Sequence, residues 1–453
     1  MMLKHKLQDQ KFHFVGIGGI GMCGLAELLH NMGAQVTGSD QSENANTIHL
    51  QKIGVQVQKG HAAKQVGNAD VVVYSSAVKD DNPEIQAARA EQIPLIPRAE
   101  ALAEIMRIHR GIAVAGTHGK TTTTSLAASI FLQAEAEPTI VIGGRLDLIQ
   151  STALLGKGEW MIAEADESDG SFSKLSPEMA IITNIDSDHL DYFKTFENVQ
   201  KAFWGFASKV PFYGVCIACG DDPIVRKTFH NFPKRILFYG FDSNNDYVVS
   251  GENGQYQLRE GAKTLGSFQV KVPGRHNALN ATAAIVSGLK AGIDFETCCK
   301  GLLKFQGVDR RFHFKGEEGG VRVYDDYGHH PTEVLATLQA FREKFSKERL
   351  VVLFQPHRYS RTQSCWHEFT TCFHQADQVL LTDIYSAGEA PIAGITSQKL
   401  ASEIKNSKAF YFEKNKLLAS LIRERLQPGD VFITLGAGDG WKVGMEVLEL
   451  LKK

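Results

Sequence analysis

The sequence predicts an α/β protein of three domains, each built on a largely parallel sheet. Short apolar strands alternate with helical stretches along the whole chain, and two strands run directly into glycine turns that open helices. The length, 453 residues, amounts to about three domains at roughly 150 residues each. With 43% hydrophobic and 22% charged residues, the composition is that of an ordinary globular chain. Basic residues number 49 and acidic residues 51, a formal net charge of -2, so no broad field draws nucleic acid or an anionic membrane. Neither is expected as a partner, and any phosphate must be bound locally.

The first block, residues 1–108, opens on a polar MMLKHKLQDQ without the apolar run of a signal peptide. KFHFVGIG reads as a strand entering a glycine turn, GLAELLHNMG as a helix stopped by Gly33, and QVTGSD and DVVVYSSA as further strands. Gly16, Gly18, Gly19, Ile20 and Gly21 fall in the pattern G-x-G-x-x-G, whose backbone closes on a diphosphate at a helix N-terminus. Asp40 ends the second strand 24 residues beyond Gly16, near where a ribose-binding acid belongs. Alone, this pattern suits a nicotinamide-dependent redox protein as well as a binder of any other diphosphate. Ser75, Ser76 and Arg98 are candidates for the same ligand.

The second block, residues 109–310, begins with the strand GIAVA and the loop AGTHGKTTTT. Gly116, Thr117, His118, Gly119, Lys120, Thr121 and Thr122 form a shortened phosphate cradle, with Val114 where the longer pattern has its first glycine. Backbone amides would face the phosphates, Lys120 would supply charge, and Thr121 could ligate magnesium. Two later strands end in hard donors: Glu164, Asp166 and Glu167 in one, Asp188, His189 and Asp191 in the other. A polar, glycine-rich stretch from Asn244 to Phe268 reads as a β-hairpin. Seven scattered cysteines do not form a disulfide framework. Cys216 and Cys219 lie three apart on a strand, pointing to opposite faces, so the pair reads as structural. No run reaches the roughly 18 apolar residues of a membrane span, and a cytoplasmic setting is expected.

The third block, residues 311–453, carries the strands LVVLFQP, QVLLTDIY and DVFITLGAG, with DDYGHHPTE and QPHRYSRT between glycine-rich and helical stretches. The ordered set GTHGKTTTT, EADESD, TNIDSDHLD and GRHNALN resembles the Mur ligases, a family of ATP-dependent amide-forming enzymes. That resemblance implies Rossmann-like terminal domains around a central ATP-binding domain. It implies ATP and magnesium (or manganese), with Thr121 and Glu164 binding one metal ion and His189 helping to hold a second. His276, Asn277 and Asn280 would surround the nucleotide, and Arg311 would reach the transferred phosphate.

Within the family, the third-block motifs resemble the alanine-adding branch. They imply UDP-N-acetylmuramate as acceptor at the glycine turn, joined to L-alanine through an acyl phosphate. Asp326, Tyr327 and His329 match the interdomain site, and His357, Arg358 and Arg361 match the amino-acid pocket, where paired arginines suit a carboxylate. Addition of a preformed peptide to the same UDP-sugar is the alternative. Two departures from sister enzymes fit this branch. The position 14 residues after His189 is Phe203, where several sisters carry a modified lysine. The D-N-P-R signature of another branch is absent from the last block, and Asp81-Asn82-Pro83-Glu84 in the first block reads as a turn.

Overall fold

Strand–helix alternation resolves into three separate sheets in the computed structural model, which describes residues 7–75, 77–146, 148–149 and 151–452. Ser76 lies outside the described residues. The first sheet holds β1 (Lys11–Val15), β2 (Gln35–Asp40), β3 (Gln56–Lys59), β4 (Val71–Tyr74) and β5 (Leu95–Pro97), all parallel in the order β3-β2-β1-β4-β5. The central position of β1 explains why Phe12 to Val15 are buried without alternation. After the glycine turn comes α1 (Ile20–Asn31), and Gly33 at φ +94° closes it where a side chain would be strained. Asp81-Asn82-Pro83-Glu84 proves to be a helix start and not merely a turn. Asn82 caps α2 (Pro83–Ala90), its side chain accepting from Glu84 N at 2.9 Å.

The central sheet has ten strands: β6 (Arg110–Ala115), β7 (Thr139–Leu146), β8 (Ser151–Leu154), β9 (Trp160–Glu164), β10 (Met179–Ile182), β11 (Val215–Cys219), β12 (Ile236–Gly240), β13 (Tyr247–Glu252), β14 (Gln255–Glu260) and β15 (Lys263–Gln269). Their order is β15-β14-β13-β12-β11-β10-β6-β9-β7-β8. Strand β6 lies between β10 and β9, parallel to both, so the ends of all three strands meet at the loop leading into α3 (Lys120–Gln133). The expected single hairpin is instead a three-strand extension. Gly254 (φ +78°) and Gly261 (φ +56°) each make a tight reversal, giving two turns where one was expected. Cys216 and Cys219 are buried free thiols on β11, and burial raises both, Cys219 to about 12.

A third sheet holds β16 (His313–Glu318), β17 (Val321–Asp326), β18 (Leu350–Phe354), β19 (Gln378–Leu381), β20 (Lys408–Tyr411) and β21 (Val431–Leu435), in the order β16-β17-β21-β18-β19-β20. Only the β16 pairing is antiparallel; the rest are parallel. The chain divides into two compact units. One contains everything to Gly251 plus Gln255–Gln269 and Leu279–Gln306; the other contains Gly307–Lys453 plus Glu252–Gly254 and Val270–Ala278. The first and central sheets therefore share a unit. Helix α1 is the reason: it lies against β7 and β8 as well as its own sheet. A Cβ at Gly24 would stand 2.7 Å from Thr152 Oγ1, and Ser151 Oγ donates to Glu27 at 2.7 Å. Phe203, at the position where sister enzymes have a lysine, is wholly buried against Phe172. Among the described residues no helix is long and apolar enough to cross a membrane.

Candidate active site

The end of β6 shapes the phosphate loop through two glycines that tolerate no side chain. Gly116 has φ +141°, and a Cβ there would overlap Thr183 Oγ1. Gly119 has φ +81°, and its Cβ would meet Asn280 Oδ1 at 2.7 Å, which brings Asn280 to the loop. The end of β10 laces the loop from the other side. His118 N donates to Asn184 Oδ1 at 2.8 Å, while Thr183 Oγ1 and Asn184 Nδ2 donate to the His118 carbonyl at 2.6 and 2.9 Å. Asp186 N donates to Thr117 Oγ1 at 2.9 Å, and His118 Nε2 lies 3.0 Å from Asp186 Oδ2. Thr117 and His118 thus spend side-chain bonds on loop shape. At Lys120, Thr121 and Thr122, the first turn of α3 has no preceding helical carbonyls for its amides, which is the physical seat for an anion.

Lys120 Nζ donates to the carbonyls of Gly116 and Thr117 at 2.7 and 3.2 Å and to Glu167 Oε1 at 2.8 Å. Burial alone would strip its proton, but the carboxylates of Glu167, Asp166 and Glu164 outweigh burial and hold Lys120 cationic. Burial pushes Glu167 up to about 7 against the pull of Lys120. Thr121 Oγ1 donates to Glu164 Oε1 at 3.1 Å, and Glu164 Oε2 accepts from Gly143 N at 2.9 Å. His189, itself at φ +55°, places Nε2 3.9 Å from Glu167 Oε1 and 3.6 Å from Asp188 Oδ2. This donor set fits magnesium: the oxygens are hard, and Glu167 Oε2 is buried without a hydrogen-bond partner, the kind of atom a cation satisfies.

The glycine turn of the first sheet is built differently. Gly16 N and Ile17 N donate to the Ser39 carbonyl at 2.9 and 3.0 Å, and Gly18 N donates to Asp40 Oδ2 at 2.9 Å. A Cβ at Gly18 would come 2.6 Å from Asn44 Nδ2 and 2.9 Å from Asp40. Asp40 also accepts from Ser42 N at 3.2 Å, so it shapes the turn that the sequence expects it to serve as ribose ligand. Gly19, Ile20, Gly21, Ser75 and Arg98 line one wall of a cavity of about 280 Å³, and Gly143, Glu164 and Asp166 line the other. Arg98 Nη2 stands 3.8 Å from Asp166 Oδ2 across it. Residues chosen from two separate blocks of sequence therefore face the same space.

In the carboxy-terminal unit, Asp326 accepts from Phe312 N at 2.7 Å, Gly328 N at 2.8 Å and Thr337 Oγ1 at 3.2 Å. Burial raises its carboxyl, yet its oxygens are already engaged, which makes Asp326 a brace for the DDYGHH loop. Tyr327 lies beneath two guanidinium groups, Arg310 at 5.0 Å and Arg311 at 5.2 Å. His329 Nδ1 faces the Tyr327 carbonyl at 3.0 Å and Glu333 Oε2 at 3.3 Å, two acceptors, so its proton sits there and Nε2 carries the lone pair. Burial pushes His329 down to about 3 and His276 down to about 4, so both are neutral near pH 7. The His329 and His357 rings are 5.6 Å apart, His357 stacks on Tyr385, and Arg361 Nη1 lies 3.3 Å from His357 Nδ1. Arg358, at φ +68°, donates its amide to Tyr385 O at 2.8 Å. Arg311 Nη1 is 3.6 Å from Glu333 Oε1, and Asn277 Nδ2 donates to Pro273 O at 2.7 Å. Three contributors were not singled out from the sequence: Asn184, Asp186 and Glu333, although each lies inside a motif that was, TNIDSDHLD or DDYGHHPTE. Glu167 was one of the three acids offered as hard donors, and it is the one that meets Lys120.

A phosphate loop with a half-buried lysine, hard acidic donors and a second diphosphate-type turn across one cavity define an ATP-using ligase. The chain belongs to the Mur ligase family. Its models match along the sequence as the family's catalytic domain over residues 11–110, middle domain over 114–288 and glutamate ligase domain over 310–438. Among individual proteins, the chain is 70% identical to a UDP-N-acetylmuramate–L-alanine ligase of Bdellovibrio bacteriovorus, over 98% of this chain and all of the other. It is 48% identical to the same-named protein of Oleidesulfovibrio alaskensis, over 97% and 98% of the two chains. A crystal structure of a UDP-N-acetylmuramate–alanine ligase from Thermotoga maritima superposes with a TM-score of 0.80 at 29% identity, covering 97% of this chain and 98% of that one.

Proposed function

We propose that this protein joins L-alanine to the lactyl carboxylate of UDP-N-acetylmuramate, converting ATP to ADP and phosphate, in peptidoglycan precursor synthesis in the cytoplasm. We assign the acceptor to residues 1–108, ATP to 109–310 and the amino acid to 311–453. The observation that carries this reading is the shared cavity, in which the Gly19–Gly21 turn faces Glu164 and Asp166. A sugar-borne acid anchored at one wall would meet the end phosphate of ATP held at the other.

A carboxylate is negative and lacks a leaving group, so it resists attack by an amine. Transfer of the γ-phosphate to its oxygen makes an acyl phosphate and releases ADP. The alanine nitrogen then bonds to the carbonyl carbon, the C–O bond to phosphate breaks, and the nitrogen loses a proton. Thr121 and Glu164 would hold one magnesium ion and His189 would help hold a second, with manganese able to use the same donors, and the ions would supply charge neutralisation at the phosphates. Lys120, held cationic, would leave its loop carbonyls for the phosphate oxygens. His276, Asn277 and Asn280 would flank the nucleotide, and Arg311 would steady the moving phosphoryl group. Arg358 and Arg361 would clamp the alanine carboxylate beside Tyr327 and His357, while neutral His329 would offer the Nε2 lone pair to an N–H of the incoming free amine. The test is ADP formation that requires ATP, UDP-N-acetylmuramate and free L-alanine together. Turnover with a tripeptide and none with L-alanine would refute the assignment.

A further inference from the structure

The D-N-P-E segment places a carboxylate where a small domain rarely keeps one. Because Asn82 caps α2 and Pro83 begins it, Glu84 turns inward while Ile85 and Ala88 bury against Val15 and Val72. Glu84 is wholly buried, as are His13 on β1 and Ser39 on β2. Ser39 Oγ donates to Glu84 Oε2 at 2.5 Å, and Ala62 N donates to Oε1 at 3.2 Å. His13 Nε2 and His61 Nδ1 each lie 3.4 Å from Oε2. Ser39 has one proton and gives it to Glu84, so at 2.9 Å from His61 Nδ1 it accepts, which places the His61 proton on Nδ1. His13 Nδ1 meets Thr37 Oγ1 at 2.9 Å. Burial pushes the Glu84 carboxyl up, but hydrogen bonds from His13 and Ser39, the His13 charge and the Ala62 amide hold it below the usual carboxylate range.

The network lies directly under the glycine turn. Ser39 holds Glu84 with its side chain and, with its own carbonyl, accepts from Gly16 N and Ile17 N. The next residue, Asp40, accepts from Gly18 N through its carboxylate and from Gly60 N at 2.7 Å through its carbonyl. Three successive amides of the turn thus depend on the end of β2, and the buried side-chain anchor of that strand end runs through Ser39 to Glu84. We infer that Glu84 is a positioning residue of the acceptor site: through Ser39 it fixes the strand end that carries the Gly16–Gly18 backbone, without touching the ligand. This rests on reading that turn as the seat of the UDP-sugar diphosphate.

The experiment compares wild type, Glu84→Gln, Ser39→Ala and the double variant. Steady-state ADP release is measured with each substrate varied, and hydrogen exchange is followed in the peptide spanning Val15–Gly21. Both single variants should raise the acceptor KM by roughly tenfold, while kcat and the KM values for ATP and L-alanine stay within about twofold. Exchange should quicken in that peptide and not across β4 and β5. Because one change removes the donor and the other the charge of a single Ser39–Glu84 link, the double variant should do no more than Ser39→Ala alone. An unchanged acceptor KM, or an equal loss in all three substrates with exchange quickened throughout the first sheet, would overturn the inference. If wild type itself releases no acceptor-dependent ADP, the proposed function fails, and the exchange of the Val15–Gly21 peptide in the variants alone decides whether Glu84 orders the turn.

Discussion

The molecule contains two strand–glycine turn–helix devices, and they differ in what surrounds the same backbone. At Gly16–Gly21 the amides of the turn are held by a carbonyl and one carboxylate, Ser39 O and Asp40 Oδ2, and Asn46 Nδ2 donates to the Gly18 carbonyl at 2.8 Å. At Gly116–Gly119 the loop is laced by Asn184 and Asp186, and it keeps a half-buried lysine beside Glu167, with Thr121 bonded to Glu164. Helix N-termini alone suffice to hold a phosphate. Moving one demands a positive charge that stays positive and hard oxygens that gather a metal. The first turn therefore reads as an anchor and the second as the place of reaction.

That contrast can be broken most sharply at Lys120. Lys120→Ala should lower kcat by about a thousandfold or more while leaving binding of the UDP-sugar intact, measured by calorimetry beside turnover. Glu164→Gln should cost roughly a hundredfold and raise the magnesium concentration needed for half-maximal rate, because Thr121 loses its acid partner. If magnesium dependence is unmoved, Glu164 belongs to the cavity wall and not to the metal. Gly18→Ala should act only on the anchor. The new methyl crowds Asn44 and Asp40, raising the acceptor KM roughly tenfold with the ATP KM unaltered.

A last effect concerns acid stability, not turnover, and separates the phosphate loop from the carboxy-terminal unit. Unfolded His276 takes its proton at the usual 6.5, whereas the folded residue takes it only near 4. As pH falls through 6.5 the unfolded chain gains protons that the folded chain refuses, so stability falls until about pH 4. The slope is about 1.4 kcal/mol per pH unit for this one group. Glu167 has the opposite sign: folded, it keeps its proton up to about 7, so stability falls as pH rises from 4.5 toward 7. Urea unfolding between pH 5 and 7 should give a shallower acid loss for His276→Gln than for wild type.

Much of this was legible in the sequence because it is local. Gly116, Gly119, Lys120 and Thr121 occupy one turn, and the need for positive φ and an unpaired helix start is written into adjacent letters. The buried central strands such as β6, β18 and β21 were legible for the same reason, being short apolar runs, whereas edge strands such as β3, β8, β16 and β20 were not read. What escaped was non-local. Asn184 reaches back 66 residues to His118, and Glu84 reaches back 45 to Ser39, across strands whose neighbours no spacing rule discloses. Glu167 was visible among three acids, but only the angle of the chain after β9 decides which of them meets Lys120. Asp326 was legible as part of the DDYGHH motif, but the three donors that converge on it from Phe312, Gly328 and Thr337 were not.

The seating of α1 on β7 and β8 has a practical consequence for anyone dividing this chain. A fragment ending at residue 110, where the first family match stops, would bare the Gly24 face of α1 and leave Glu27 without Ser151. Such a piece should be sticky and short-lived in solution, whereas one carried through the central sheet should behave as a single melting entity. The boundary drawn by homology and the boundary drawn by physics fall in different places, and the second is the one a protein engineer must respect.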